Sequence, residues 1–258
     1  MAHFRSSLPS WTLAILLAAT ATAFAAPTDR PGWKLTFHDE FDGNALDLTK
    51  WSPNDPWGRE RNRELQAYVP DAFEVANGIL RVKAEQRQAS YAGKERAYTS
   101  GMMTTYQKFT QQYGRFEIRC RVPRGKGMWP AFWLLPEPLA WPPEIDVLEV
   151  LGHEPQKGYF THHFKDAHGQ HKSHGGSWTG SDLSAAFHEF AVEWSPERLV
   201  WFVDGVERFR SEDSIPQVKM YLLVNLAVGG DWPGAPDAQT RFPKALEVDY
   251  IRVYSKVP

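Results

Sequence analysis

Three carboxylates crowd the stretch "WPPEIDVLEVLG", Trp141 to Gly152: Glu144, Asp146 and Glu149. Two carboxylates can cleave a glycosidic bond, one attacking the anomeric carbon and the other protonating the leaving oxygen. Crowding helps that division of labour. Like charges on one face push at least one pKa upward, so one group stays protonated near neutral pH. The spacing resists it. On a regular strand Glu144 and Asp146 share a face while Glu149 points away. On a helix the gap from Glu144 to Glu149 is about 500°, which leaves Glu149 roughly 140° round. One extra residue near Val147 or Leu148, a β-bulge, restores parity and turns all three to one face. The two Glu Cα atoms are then ~13 Å apart. Side chains leaning inward can approach the roughly 5–5.5 Å separation of a retaining glycosidase. Spacing alone is met as well by a solvated acidic strand or an oxygen-ligand cation site.

Tryptophan is the second signal. There are 11 tryptophans, and several fall among Gly and Pro in "DPWGRERN", "GKGMWPAFWLLP", "LAWPPE" and "GGDWPG". Indole rings stack on the apolar faces of sugars, and loops on a rigid scaffold carry binding groups. Trp129, Trp133 and Trp232 are candidate sugar contacts on that ground.

The elements that must position these residues are short strands. "GILRVKAEQ", "GRFEIRCRV", "FHEFAVEW" and "LEVDYIRVY" alternate apolar and polar residues. "RLVWFVDGVERFR" holds Asp204-Gly205 between two alternating runs, a hairpin signal. Many short strands with Pro, Gly and Asp turns predict an antiparallel sandwich or barrel, with no repeat and no linker. The chain has 258 residues, 42% hydrophobic and 23% charged, with a net charge of −2. That suits one core and gives no basic footprint for nucleic acid. Residues 1–25 read as a signal peptide, with Arg5, a short apolar run and small residues before the cut. The run is too short to anchor in a membrane. The expected product, residues 26–258, is one domain, secreted or periplasmic. The single cysteine, Cys120, sits on the apolar face of a strand and is expected to be a packed thiol. "HHFKDAHGQHKSH" matches no standard zinc spacing and is expected to be a polar loop after a strand, with His163 facing the cleft. No phosphate-binding loop, Rossmann fingerprint or serine nucleophile elbow occurs.

"EIDVLE" has the form E-x-D-x-x-E and follows "WPAFW". With "FHDEFDG", "NRELQAY", "YTSGMMTT", "YGRFEIR", "NLAVGGDWPG" and "VDYIRVY" in order, the chain resembles glycoside hydrolase family 16 from about Trp33 to Tyr254. It is similar to the laminarinase-like, β-bulge branch. The resemblance implies an all-β, concanavalin-like jelly roll of two curved antiparallel sheets with a cleft on the concave face. It implies Glu144 as nucleophile, Glu149 as general acid/base and Asp146 as the group that holds Glu144. It implies substrate contacts from Asn62, Trp129, Trp133, His163 and Trp232. Two positions depart from the laminarinase pattern, Met102 where Arg is usual and Pro142-Pro143 where Cys-Gly is usual. Both resemble bacterial exopolysaccharide β-glycanases of the same family.

The resulting expectation is a monomeric, secreted endo-β-glucanase that cleaves β-1,3 or mixed β-1,3/1,4 bonds with retention. Its partner is the polysaccharide, with no nucleic acid, no membrane and no cofactor in the chemistry. The alternatives are an exopolysaccharide or galactan hydrolase, and a silent carbohydrate-binding lectin on the same fold. The family also implies a structural Ca²⁺ held by Glu40, a carbonyl near Gly78, and Asp249.

Overall fold

A computed structural model describes Met1, residues 28–137 and residues 139–257. The expected signal peptide lies almost entirely outside them. Strands are the sole regular elements among the described residues, as the alternating sequence predicts. The first half of the chain gives β1 (Trp33–Asp39), β2 (Gln66–Tyr68), β3 (Phe73–Ala76), β4 (Ile79–Ala84), β5 (Ala89–Tyr91), β6 (Lys94–Arg96), β7 (Tyr98–Ser100), β8 (Met102–Thr104) and β9 (Gly114–Arg121). The second half gives β10 (Met128–Pro136), β11 (Glu144–Val150), β12 (Lys157–Lys165), β13 (His171–Thr179), β14 (His188–Trp194), β15 (Leu199–Val203), β16 (Val206–Ser211), β17 (Met220–Val228) and β18 (Lys244–Lys256).

Most of these strands build two packed sheets, and β2–β7 and β5–β6 form two small two-stranded ones. One packed sheet has the order β16-β15-β14-β9-β18-β4-β3, with β1 also on β18. The other has the order β13-β12-β11-β10-β17-β8. Its neighbouring strands are antiparallel. The β15–β16 hairpin forms at Asp204-Gly205, and both turn residues take positive φ, 49° and 75°. That is the backbone twist a tight two-residue hairpin turn requires.

Period-two alternation divides the second sheet into two apolar layers. On β10, Met128, Phe132 and Leu134 join the core between the sheets. On its other face Ala131, Trp133 and Leu135 join Tyr221, Leu223 and Met102 in a smaller cluster. That second cluster is the floor of a cleft. β17 is therefore buried along its whole length, covered on both faces. Cys120 is a fully buried core residue, and burial pushes its thiol up, away from nucleophilic use.

Candidate active site

The site is built on an irregular β11. Against β10, Phe132 pairs with Leu148 and its neighbour Trp133 pairs with Asp146, so Val147 is passed over. Against β12, Tyr159 pairs with Glu149 and Thr161 with Asp146, so Val147 and Leu148 together oppose Phe160. Two residues facing one is a β-bulge. Its consequence is visible in burial. Ile145, Val147, Leu148 and Val150 all enter the core, while Glu144, Asp146 and Glu149 all line the cleft. A core tryptophan secures the irregular segment. The Trp201 indole N–H, from β15 in the opposite sheet, donates to the Asp146 carbonyl at 2.8 Å.

Each glutamate is held by one indole. Trp141 donates its N–H to Glu144 Oε2 at 3.1 Å, and Trp129 donates to Glu149 Oε1 at 3.0 Å. Between the glutamates, Asp146 faces His163, with Oδ2 at 3.4 Å from Nε2. The same nitrogen lies 3.7 Å from Glu144 Oε1. The register explains the meeting, since Glu144 pairs with His163 across β11 and β12. His163 Nδ1 in turn lies 3.0 Å from Nε2 of His171.

The three carboxyls cannot all ionise near neutral pH. Burial first, and then the charge of Asp146, raise Glu149 to about 8. Burial raises Asp146 to about 8 as well. Glu144 is pushed well above the usual carboxylate range by burial and then by Asp146, against the opposing pull of His163 and the Trp141 N–H. A proton kept on Asp146 removes the nearest like charge from both glutamates. Ligand atoms of Glu144, Asp146 and His163 also lie within 4.8 Å of one another, so the cation alternative has a geometric basis. It leaves Glu149 and its indole donor without a role.

The cleft around these groups has a volume of about 450 Å³, and every expected catalytic and substrate-contact residue lines it, whereas the expected calcium residues Glu40, Gly78 and Asp249 do not. Trp129 and Trp232 meet edge to face at 5.5 Å, and Trp232 also meets Tyr159 at 4.7 Å. Trp133 lies in the floor, with its N–H bonded to Asn225 Oδ1 at 2.8 Å. Asn62 donates to Glu64 Oε1 at 3.2 Å. Glu64 is itself buried among Gln66, Asn62 and Tyr68 hydrogen bonds, and burial raises its pKa. Gly230, at φ +119°, lets "GGDWPG" close on this wall, because a Cβ there would sit 2.9 Å from the Asn62 carbonyl.

Three features differ from the sequence reading or escaped it. "HHFKDAHGQHKSH" is mostly paired strand, the β12–β13 hairpin, with its turn at Asp166–Gln170. Its polar composition suits a sheet edge, where alternation is muted because β13 packs on little. Two of its histidines serve the cleft, His163 directly and His171 through it. Trp141 was missed, although it begins the acidic stretch; it is 44% exposed and its ring packs beside His171, 4.5 Å between centres. Trp57, Arg59, Arg61, Tyr68 and Asn225 also line the cleft. Of these, Trp57, Arg59 and Arg61 carried a sequence signal, the Trp in "DPWGRERN".

The expected calcium residues meet differently. The β1 end and the β3–β4 turn, which holds Gly78, converge on an irregularity of β18 between Val248 and Tyr250. Both acids there are paired with arginines. Arg252 donates to both oxygens of Glu40, at 3.0 and 2.7 Å, and Arg119 pairs with Asp249. An ion held by these two carboxylates would compete with both guanidinium groups.

Comparison with known proteins decides the family. The family model for glycosyl hydrolases family 16 matches residues 67–252. The chain belongs to this family. It is 36% identical to the endo-1,3-1,4-beta-glycanase EglC of Rhizobium meliloti over 91% of this chain and 54% of that protein. It is also 36% identical to a beta-glucanase of Rhodothermus marinus, over 95% of this chain and 93% of the relative. The chain thus spans about half of the first and nearly all of the second. The laminarinase catalytic domain of Thermotoga maritima superposes with a TM-score of 0.79 at 34% identity, covering 88% of this chain and 99% of that domain. A family 16 jelly roll is the observed architecture, and its concave sheet carries the bulged strand.

Proposed function

We propose that this family 16 protein is a retaining endo-β-glucanase acting on internal β-1,3 or mixed β-1,3/1,4 bonds. The observation that carries the reading is the bulge at Val147. It sets Glu144 and Glu149 on one face, each with an indole donor, inside a tryptophan-walled open cleft. A lectin needs the tryptophans but has no use for the two held glutamates.

In the first step Glu144 attacks the anomeric carbon, and the C–O bond to the leaving sugar breaks as Glu149 protonates its oxygen. A Glu149 pKa of about 8 keeps that proton available at neutral pH. Glu144 must react as the anion. The Trp141 N–H supports that form directly, and a protonated Asp146 supports it by removing a like charge. In the second step Glu149, now a base, takes a proton from water, which attacks the glycosyl ester and frees Glu144.

The test is reducing-sugar release from laminarin, lichenan and barley glucan. Cleavage of at least one of them is expected, and Glu144→Gln should lower kcat by at least about 10³-fold. Binding without cleavage of any of them would favour the lectin. One observation favours a second reading, an exopolysaccharide or galactan hydrolase. Met102, 2% exposed, occupies the floor where a laminarinase-like arginine is expected. Cleavage of such a polymer in preference to all three glucans would establish it.

Export, a monomeric state and a structural calcium belong to the same proposal. Mature protein beginning near Ala26 in the periplasm or medium would support the first. A single-chain mass in solution would support the second. For calcium, millimolar Ca²⁺ should raise Tm over the value in chelator, and an unchanged Tm removes the ion.

A further inference from the structure

The half of the cleft over β17 and β8 has an unusual charge pattern. Its floor is apolar at Met102. Two guanidinium groups reach its wall from one loop, Arg59 and Arg61. Arg61 is neutralised by Asp55, a buried carboxylate. Arg59 pairs with no acid among the described residues, and residues 2–27 contain no acid at all. Its guanidinium lies 4.6 Å from the centre of the Trp57 ring.

The loop is fixed, so the charge has a defined place. Asp55 accepts the Trp57 backbone N–H at 3.0 Å and the Tyr91 hydroxyl. The Trp57 indole donates to the Tyr221 hydroxyl of β17 at 3.3 Å. Gly58, at φ 57°, makes the turn that sets Arg59 beside Trp57. Stacking uses the face of a guanidinium and leaves its edge donors for a planar anion. A neutral glucan offers those donors only hydroxyls. A carboxylate would complete them.

We propose that this half of the cleft is a subsite for an acidic sugar unit, with a carboxylate on the polysaccharide received by Arg59 above Trp57. The substrate class is then an anionic β-glycan, with the carboxylate on the ring as a uronic acid or on an acyl substituent. The inference rests on the endoglycosidase reading and narrows its substrate.

The experiment compares kcat/KM on barley glucan in three forms matched for chain length: unmodified, partly oxidised at C6 to glucuronosyl units, and partly succinylated. At low salt the wild type should prefer an acidic form by about fivefold, the upper end for an exposed ion pair. The preference should shrink in 0.5 M NaCl, where charges are screened. Arg59→Gln should abolish it and Arg59→Lys should keep part of it. Preference for the oxidised form assigns a ring carboxylate, and preference for the succinylated form assigns the acyl group. An acidic-to-neutral ratio that is the same in wild type and Arg59→Gln would overturn the proposal, as would wild-type preference for the neutral glucan. If no form is cleaved, the endoglucanase reading fails separately. Calorimetric binding of oligosaccharides from the oxidised glucan, by wild type and Arg59→Gln, then decides the inference alone.

Discussion

The residues that matter most are three carboxyls whose protons are shared by design of their surroundings. Burial raises Glu149 to about 8, above its unfolded value of about 4.3. Between those values the unfolded state holds fewer protons than the folded one, so this group lowers stability as pH rises through that window. Glu149→Gln should therefore stabilise the protein at pH 7.5 by roughly 1–3 kcal/mol and much less at pH 4.5. Thermal melts at the two pH values check this, and equal shifts would contradict it. The same proton sets the basic limb of activity, so kcat should fall as pH rises through about 8. Trp141 acts on the other glutamate. Trp141→Phe keeps an aromatic ring but removes the N–H donor from Glu144. It should reduce kcat by about tenfold, the scale of one hydrogen bond to a charged group, with a smaller change in KM. An unchanged kcat would make Trp141 a sugar platform alone.

At the scale of elements, β11 and its supports carry the account. The E-x-D-x-x-E spacing was legible because turning two glutamates five residues apart to one face of a strand has one economical solution, the bulge. What holds the bulge was not legible. Trp201 lies 55 residues away from Asp146 and comes from the other sheet. Trp201→Phe keeps most of the buried ring but leaves the Asp146 carbonyl without that donor. It should cost about 1–3 kcal/mol, the penalty of an unpaired buried acceptor, and lower kcat, read by denaturant melts and kinetics together. The β12–β13 hairpin shows the opposite limit. Its histidines alternate too weakly for a strand signal because one strand lies at the sheet edge. The pairing that results places His171 against His163. His171→Ala should lower kcat by about threefold to tenfold, since a looser imidazole positions Asp146 and Glu144 less well. The pH profile should shift with it, and a loss of stability alone would reduce His171 to an edge residue.

For the whole molecule, two sheets do separate work. The outer sheet and the inner faces of β10 and β17 form the main core, while the opposite faces of those two strands form a second apolar floor. The alternation of "GRFEIRCRV" made the sandwich legible, because β9 sends its apolar residues to the core and its charged residues to the other face, where Arg115 and Glu117 are buried in an ion pair and Arg119 and Arg121 are partly exposed. β17, buried on both faces, loses that alternation, and its sequence says only that it is central. The cleft's composition was half legible. Tryptophans beside Gly and Pro pointed to it, but Asn225, from a wholly buried strand, has no local sign. Its place depends on Trp133 and Tyr68 arriving from elsewhere.

The central claim is that one bulged strand places a nucleophile and an acid/base on the same face. The most direct test is the anomer formed first from a β-glucan, followed by proton NMR before mutarotation. Retention through Glu144 predicts that the β-anomer appears first. An α-anomer appearing first would contradict the account.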